Sequence, residues 1–242
     1  MLKLLLFSII QIALFAVEPN FWKYDGSAVI LDLNSSKRVI FGEREDERYS
    51  PCSTFKILNS MIALEVKAVE DENESIKWDG VVREYEAWNR DHSMRSAIAV
   101  STVWFYQEMA KRIGSKRMAE YVKEAKYGNM DVSHTLTDFW LGSGSLAISP
   151  NEQIDFLSKF VRNDLPFSLR SINTIKDIMT LEKKDAYRIA AKTGSCGGIG
   201  WFVGFVENGQ NTKVFAFNIK GDGANGAEAK RIALEYFSYQ NK

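Results

Sequence analysis

The sequence is poor in the residues that build metal sites and histidine-dependent active sites. It contains two cysteines, Cys52 and Cys196, and two histidines, His92 and His134, in 242 residues. Their spacings match no zinc motif, so the sequence predicts neither a structural nor a catalytic metal. The scarcity of histidine and the lack of a G-x-S-x-G segment also argue against a Ser-His-Asp hydrolase.

The chain has no excess of charge of either sign. Lysine plus arginine and aspartate plus glutamate both number 31, and no Lys/Arg-rich block interrupts the sequence. The sequence therefore predicts no nucleic-acid partner. With 45% hydrophobic residues, a chain of 242 residues can bury a core in one or two domains.

A long apolar run occurs only at the N-terminus. The segment MLKLLLFSIIQIALFAVEPN has one lysine, then apolar residues, then the small residues Ala13 and Ala16. This order is typical of a secretory signal peptide and is short for a membrane span, although an uncleaved anchor remains an alternative. We expect residues 1–16 to direct secretion across the inner membrane, to the periplasm of a Gram-negative cell. After cleavage the protein would have no stable membrane insertion, in a compartment where disulfides form.

Strand patterns occur at both ends of the chain, and helical patterns lie between them. The β-rich segments are 27–33, 37–42, 187–195, 200–207 and 213–220. Helical spacing marks about 54–66, 103–113, 116–125 after a Ser115 cap, 153–161 after an S-P-N-E capping box, and about 227–239. We predict an α/β fold in which the two ends pair into one antiparallel sheet. Residues 17–242 would form one catalytic unit, with an α/β lobe (about 17–56 and 186–242), a helical lobe (about 57–185) and a cleft between them.

Two glycine-rich segments imitate a nucleotide-binding loop. GDGANG (221–226) matches G-x-G-x-x-G between a strand and a helix, but no second strand follows to complete a βαβ unit. GSGSLA (142–147) matches more loosely. We interpret both as loops and expect no nucleotide cofactor.

The segment SPCSTFKILNS (50–60) carries the first chemical signal. Ser53 and Lys56 lie three residues apart at the start of a helix, where they share one face, so the amine can approach the hydroxyl. Backbone N–H groups at a helix N-terminus can stabilise an oxyanion. Lysine is a poor base at its ordinary pKa, but apolar neighbours such as Phe55 and Val103 would favour the neutral amine. A helix-capping serine beside a solvated lysine would fit the same residues.

Further short motifs follow in order along the chain. They are S-T-V at 101–103, Y-G-N at 127–129, F-W-L at 139–141, K-T-G at 192–194 and G-W-F-V-G at 200–204. Together with S-T-F-K at 53–56, they resemble the class D β-lactamases of the penicillin-recognising serine enzymes. The resemblance covers nearly the whole mature chain and implies a small-molecule β-lactam substrate.

The resemblance implies a covalent mechanism. Ser53 would open the β-lactam ring to give an acyl-enzyme. Lys56 would react with carbon dioxide to form a carbamate (N6-carboxylysine), the general base for acylation and deacylation, and no other cofactor is implied. Trp140 would hold the carbamate through its indole N–H, and Val103 would pack beside it.

The remaining motif residues receive supporting roles from the resemblance. Ser101 would relay a proton to the leaving nitrogen, and Lys192 would assist this step and attract the substrate carboxylate. The other assignments are the oxyanion hole (backbone N–H groups of Ser53 and Ser195), substrate binding (Thr193, Gly194 and Ser195) and shaping of the site (Tyr127 and Asn129).

The sequence departs from the family before its last helix. Members usually carry an arginine there that binds the substrate carboxylate, but DGANGAEAKRIALEYF has none at the expected place. Arg231 lies about one turn deeper. Asn225, Lys192 or Thr193 could share the task.

The two cysteines flank the implied oxyanion hole. Cys52 precedes the nucleophile, and Cys196 follows Ser195. If both N–H groups face one oxyanion, their neighbours are close as well. We therefore predict a Cys52–Cys196 disulfide, with two buried reduced thiols as the alternative.

Three functions fit these residues. The first is a hydrolase that turns over. The second is a β-lactam sensor domain that acylates without turnover, and the third is a penicillin-binding transpeptidase or carboxypeptidase. Sensor domains normally follow several membrane spans and large transpeptidases carry extra domains, so the hydrolase is favoured. The sequence does not determine the oligomeric state.

Overall fold

A six-stranded antiparallel sheet forms the centre of the protein. The computed structural model describes residues 18–240, so the predicted signal peptide at 1–16 lies outside the described residues. The strands are β1 (Asp25–Asp32), β2 (Arg38–Phe41), β3 (Thr180–Lys184), β4 (Tyr187–Cys196), β5 (Ile199–Asn208) and β6 (Asn211–Lys220). Their order in the sheet is β2-β1-β6-β5-β4-β3. Because β1 pairs with β6, both ends of the chain meet in one sheet, and the predicted α/β fold is confirmed.

Helices cover both faces of this sheet. They are α1 (Lys56–Glu65), α2 (Met94–Val100), α3 (Val103–Ile113), α4 (Ser115–Glu124), α5 (Pro150–Arg162), α6 (Leu169–Ile178) and α7 (Gly226–Gln240). A short 3₁₀-helix, Cys52–Phe55, leads directly into α1. Across residues 18–240, no helix has the length and apolar character needed to span a membrane.

The two faces of the sheet bury different sets of side chains. Successive residues of a strand point to opposite faces. Ala190 and Val203 therefore belong to the core that also contains residues of α1, α3 and α5, on what we call the helical face. Phe202 and Phe217 pack against α7, on what we call the α7 face. Because both faces are covered, β5 is buried from Ile199 to Val206 and reads as one continuous apolar run.

Several local elements differ from the sequence prediction. The prediction missed α2, α6 and β3. The β3 segment TLEKK is short, polar and exposed beyond its first residue, as suits an edge strand, and it extends the sheet into the range assigned to the helical lobe. The Ser115 cap was wrong, because Gly114 is the N-cap and Ser115 begins α4. The capping box at Ser149 is present, with reciprocal hydrogen bonds between Ser149 and Glu152.

Candidate active site

The 3₁₀-helix that carries Ser53 is fastened to the sheet. Cys52 has φ of +51°, which is a left-handed conformation rare for residues other than glycine. The sulfur atoms of Cys52 and Cys196 are joined in a disulfide across Cα atoms 5.8 Å apart. The bridge ties the residue before Ser53 to the end of β4. Unfavourable backbone conformations of this kind persist where the surrounding structure holds them, and they cluster at active sites.

Lys56 is wholly buried beside Ser53. Its Nζ lies 2.9 Å from Ser53 Oγ, 2.6 Å from the carbonyl oxygen of Ser101 and 3.0 Å from Ser101 Oγ. Nζ also lies 5.3 Å from the centre of the Tyr106 ring. Burial, and secondly the charge of Lys192, hold the pKa of Lys56 well below its usual range. The site therefore favours a neutral amine in contact with a serine hydroxyl.

Ser101 connects two lysines. It ends α2 in the left-handed region, with φ of +60°, and the chain then turns into α3. Its Oγ lies 3.0 Å from Lys56 Nζ and 3.0 Å from Lys192 Nζ. A hydroxyl can accept one hydrogen bond and donate another, so Ser101 can carry a proton between these groups.

Lys192 enters the same site from β4. Its side chain is almost completely buried, and Nζ donates to Ser101 Oγ at 3.0 Å and to the carbonyl oxygen of Thr193 at 3.1 Å. Burial, and secondly the charge of Lys230, lower the pKa of Lys192 to about 7. Both states of this amine are thus accessible near neutral pH.

The second half of β4 has one edge facing the nucleophile. β3 pairs with β4 only as far as Ala190, and beyond that point the same edge runs towards the 3₁₀-helix. A Cβ on Gly194 would lie 2.9 Å from the carbonyl oxygen of Pro51, so glycine permits this close approach. Ser195 follows, and its Oγ accepts a hydrogen bond from the Gly226 N–H at 2.7 Å.

Trp140 packs against the 3₁₀-helix that carries Ser53 and has a donor without an acceptor. The indole is wholly buried and stacks on Phe55, with ring centres 5.5 Å apart. Its Nε1 has no acceptor among the residues that the structure describes. A buried N–H is costly without an acceptor, so this indole N–H is free to donate to a group brought next to it. Val103, at the start of α3, is half-buried.

Tyr127 and Asn129 brace the site from a distance. The Tyr127 hydroxyl is buried 3.4 Å from Thr54 Oγ1, and burial raises the Tyr127 pKa above its ordinary value. The Asn129 side chain donates to the carbonyl oxygen of Ser145 and accepts from the Ala147 N–H. These contacts hold the loop that carries Trp140.

Sequence reasoning missed a buried glutamine under the nucleophile. Gln153 Nε2 donates to Thr54 Oγ1 at 2.9 Å, and Thr54 is the residue after Ser53. The available signal was a polar residue on the apolar side of the amphipathic helix α5, next to Ile154 and in line with Leu157. This hydrogen bond connects α5 to the 3₁₀-helix and helps to hold the 3₁₀-helix in place.

The structure separates Arg231 from the site. Its guanidinium pairs with Glu228 and Glu235 on the exposed side of α7 and lies over the Trp22 ring. The cation of α7 beside Lys192 is its neighbour Lys230, which sequence reasoning also missed.

The histidines take no part in this arrangement. His92 is buried, with Nδ1 2.9 Å from Ser96 Oγ and Nε2 2.9 Å from the carbonyl oxygen of Ala87. His134 is exposed. Within residues 18–240, no group of three or more His, Cys, Asp or Glu residues is placed to hold a metal ion.

Ser53 Oγ lies against a wholly buried lysine, next to an open sheet edge. Comparison with known proteins places the chain that carries this arrangement in a family. Residues 26–238 match the family of penicillin-binding protein transpeptidase domains. The chain is 40% identical to the probable β-lactamase YbxI of Bacillus subtilis (strain 168), over 90% of this chain and 82% of that protein. It superposes on the class D β-lactamase BAT-2 with a TM-score of 0.88 and 40% identity, over 91% of this chain and 94% of that one.

The chain therefore belongs to the class D β-lactamases, which are hydrolases of the penicillin-recognising fold. A further relative is the regulatory protein BlaR1 of Bacillus licheniformis. It is 37% identical over 86% of this chain, which spans only 36% of that protein.

Proposed function

We propose that the protein hydrolyses the β-lactam amide of penicillin-type antibiotics through an acyl-enzyme on Ser53. One observation carries this proposal: Ser53 Oγ lies 2.9 Å from the Nζ of a lysine that is wholly buried. The lowered pKa of Lys56 makes its side chain able to take the hydroxyl proton as Ser53 attacks the β-lactam carbonyl.

The neighbouring residues complete the acylation step. The backbone N–H groups of Ser53 and Ser195 would stabilise the oxyanion, with Gly194 allowing β4 to approach. The C–N bond of the ring then breaks, and Ser101 Oγ gives a proton to the leaving nitrogen. Lys192, 3.0 Å from that Oγ, supports this transfer. Water must then hydrolyse the ester to regenerate Ser53.

We further propose that Lys56 is used as a carbamate. Carbon dioxide reacts with neutral amines, and burial provides one at Lys56. The unsatisfied indole N–H of Trp140 is a donor suited to hold the product, and Val103 would pack beside it. The carbamate would supply an anionic base, which an ammonium group cannot.

Secretion forms part of the same proposal. The signal-peptide character of residues 1–16 and the Cys52–Cys196 disulfide both suit a compartment outside the cytoplasm, the periplasm in a Gram-negative cell. A single α/β and helical unit over residues 17–242 would meet its substrate there.

The similarity to BlaR1 favours one alternative function. A β-lactam sensor would form the same acyl-enzyme on Ser53 and keep it. A transpeptidase or carboxypeptidase, suggested by the matching family model, would acylate and release slowly. In their reaction with a β-lactam, these alternatives differ from a β-lactamase in the deacylation step.

Hydrolysis of a chromogenic cephalosporin by the purified mature chain tests the proposal. We expect sustained turnover that added bicarbonate increases, and a loss of at least about three orders of magnitude in Lys56→Ala. Arg231→Gln is the control, because this cation lies on the exposed side of α7 and should leave the rate unchanged.

A single stoichiometric burst would contradict the hydrolase and support the sensor or transpeptidase. Mass spectrometry of the intact protein distinguishes the cases, since a sensor would retain the mass of the opened antibiotic on Ser53. No acylation at all would overturn each of these functions.

A further inference from the structure

Two segments of backbone face each other across the proposed oxyanion hole. One is the 3₁₀-helix Cys52–Phe55, and the other is the last part of β4. Among residues 18–240, no backbone hydrogen bond joins these two segments. An oxyanion hole needs such a gap, because an N–H group that already has a partner is not available to a substrate. The distance across the gap must therefore be set by other contacts.

The register of the sheet determines which N–H groups of β4 point into this gap. The Ala191 N–H donates to the carbonyl oxygen of Met179, on the edge of β4 that faces β3. Successive N–H groups of a strand point to alternate edges, and β4 pairs regularly with β5 as far as Cys196. The Ser195 N–H therefore points to the same edge as the Ala191 N–H, on the side of Ser53.

One covalent link limits how far the two segments can separate. The disulfide joins Cys52, the residue before Ser53, to Cys196, the residue after Ser195. The chain contains no other cysteine. Close packing of Gly194 on Pro51 limits how near the segments can come. The disulfide and this packing together fix the distance between the two proposed oxyanion donors.

The disulfide also holds a backbone conformation that is otherwise unfavourable. Cys52 has φ of +51°, and a residue with a Cβ atom rarely adopts this region without support from its surroundings. The carbonyl group of Cys52 belongs to the peptide unit that carries the Ser53 N–H. If the link were opened and Cys52 relaxed, this peptide unit would turn and the N–H would change its direction.

Ser50 connects the disulfide to two neighbouring parts of the fold. Its Oγ donates to the carbonyl oxygen of Trp140 at 2.9 Å and lies 3.6 Å from Cys196 Sγ. Its carbonyl oxygen accepts from the Trp201 indole at 3.0 Å and lies 3.4 Å from Cys52 Sγ. Both sulfur atoms thus pack against a residue that β5 and the Trp140 segment hold in place, so the link itself has a fixed position.

We propose that the Cys52–Cys196 disulfide sets the geometry of the oxyanion hole, and that its reduction converts the protein into a form that acylates slowly. The inference rests on the proposed function and adds to it a dependence on redox state. A dithiol would supply two electrons and two protons. The S–S bond breaks, both cysteines become thiols, and the dithiol becomes a cyclic disulfide.

The location of the disulfide suits such a reaction. Cys196 is half-buried, and the next two residues, Gly197 and Gly198, are exposed, so a small reductant reaches the link from the turn between β4 and β5. Disulfides persist outside the cytoplasm and are reduced within it. Copies that remain in the cytoplasm would therefore be in the slow form, and export would convert them to the fast form.

The rate of acylation by a fluorescent penicillin tests this proposal on the purified mature chain. Oxidised protein is compared with protein reduced by a phosphine, which is removed without air before the substrate is added. Maleimide labelling counts the thiols, and two labels mark full reduction. We expect reduction to slow acylation by about 10- to 100-fold, because a displacement of about 1 Å has an effect of this size. Reoxidation should restore the rate, and added bicarbonate should not, since the loss is not at Lys56.

The double variant Cys52→Ala/Cys196→Ala gives the open form without a reductant. It should acylate as slowly as the reduced wild type, and phosphine treatment should leave its rate unchanged. Phe217→Ala is the matched control, because it destabilises the α7 face and leaves the disulfide intact. At a temperature where thermal unfolding shows both variants to be folded, Phe217→Ala should acylate at the wild-type rate.

The possible outcomes are distinct. Wild-type acylation rates in the reduced protein and in the double variant would overturn the proposal. An equal loss of rate in Phe217→Ala would also overturn it, because the disulfide would then act through overall stability. If the oxidised wild type forms no acyl-enzyme, the proposed function itself fails. Acylation that depends on the disulfide but is not followed by turnover would support this inference and contradict the hydrolase.

Discussion

The two faces of the central sheet are built on different principles. On the α7 face, Phe202, Phe217 and Phe237 pack in an apolar cluster. On the helical face, the apolar core surrounds buried polar groups, among them Lys56, Thr54 and Gln153. One face stabilises the fold, and the other accommodates groups whose burial costs free energy.

The backbone conformation also differs between the surroundings of the candidate site and the strands that face α7. On the helical side, Cys52 and Ser101 are both held at positive φ next to the reacting groups. On the α7 side, the strand residues that pack against α7 belong to regular antiparallel pairs, such as Phe202 with Phe217. Positive φ also occurs at turns elsewhere, such as Ser36 and Asp185, but at Cys52 and Ser101 it adjoins the candidate site, where preorganisation is needed.

The largest effect is expected from a substitution on the α7 face, where it should lower the free energy of unfolding. Phe217 is wholly buried, with Phe215, Tyr236 and Phe237 as aromatic neighbours. Phe217→Ala should lower the free energy of unfolding by about 3 to 5 kcal/mol, because it leaves a cavity. Urea denaturation measures the loss, and kcat at low temperature should be unchanged. Phe217→Leu is the control, with a loss nearer about 1 kcal/mol. A fall in kcat with stability intact would contradict the separation of the two faces.

An intermediate effect is expected when one hydrogen-bond donor is removed from the helical face. Trp140→Phe keeps the ring that stacks on Phe55 and deletes the unsatisfied N–H. Turnover in air should fall about 10- to 100-fold and recover in part with bicarbonate, because a charge-assisted hydrogen bond to the proposed carbamate would be lost. A carbamate signal in ¹³C NMR with labelled bicarbonate should weaken in parallel.

Trp201→Phe is the matched control for that substitution. Trp201 is equally buried, but its Nε1 donates to the carbonyl oxygen of Ser50 at 3.0 Å. We expect this variant to lose about 1 kcal/mol of stability and to keep its response to bicarbonate. Identical behaviour of the two variants would argue against a special role for the Trp140 indole.

The smallest effect is a gain in stability. Lys192 has a pKa of about 7 in the folded protein, against an ordinary value of 10.5. The unfolded chain therefore binds more protons between these pH values, and the free energy of unfolding should rise from pH 7 towards pH 10. In Lys192→Met, the free energy of unfolding measured by urea denaturation should be higher by about 1 to 2 kcal/mol at pH 7. It should also depend less on pH than in the wild type, and the variant should have little activity. A less stable variant would show that the hydrogen bonds of Lys192 outweigh its burial cost.

Local patterns in the sequence were enough to locate most of the helices and strands. Alternating and helical periodicities located five strands and five helices, and the capping box at Ser149 located the start of α5. Of the missed elements, α2 and β3 are short. In α6, Ile172, Ile175 and Ile178 recur at helical spacing behind a Ser168 cap, so the sequence contained a signal for this helix that the prediction did not use. Lys230 and Gln153 were missed because each resembles an ordinary helical residue until its neighbours across the chain are known.

By itself, the sequence determined the order of elements, the family motifs and the lack of an arginine in the expected place, because these depend on local periodicity and residue identity. The tertiary structure alone decided that Ser101 Oγ lies between two lysines, and that Lys230 rather than Arg231 is the cation of α7 beside Lys192. Burial, and with it the low pKa of Lys56, arises from contacts between segments far apart in the chain. A local sequence pattern does not specify such contacts.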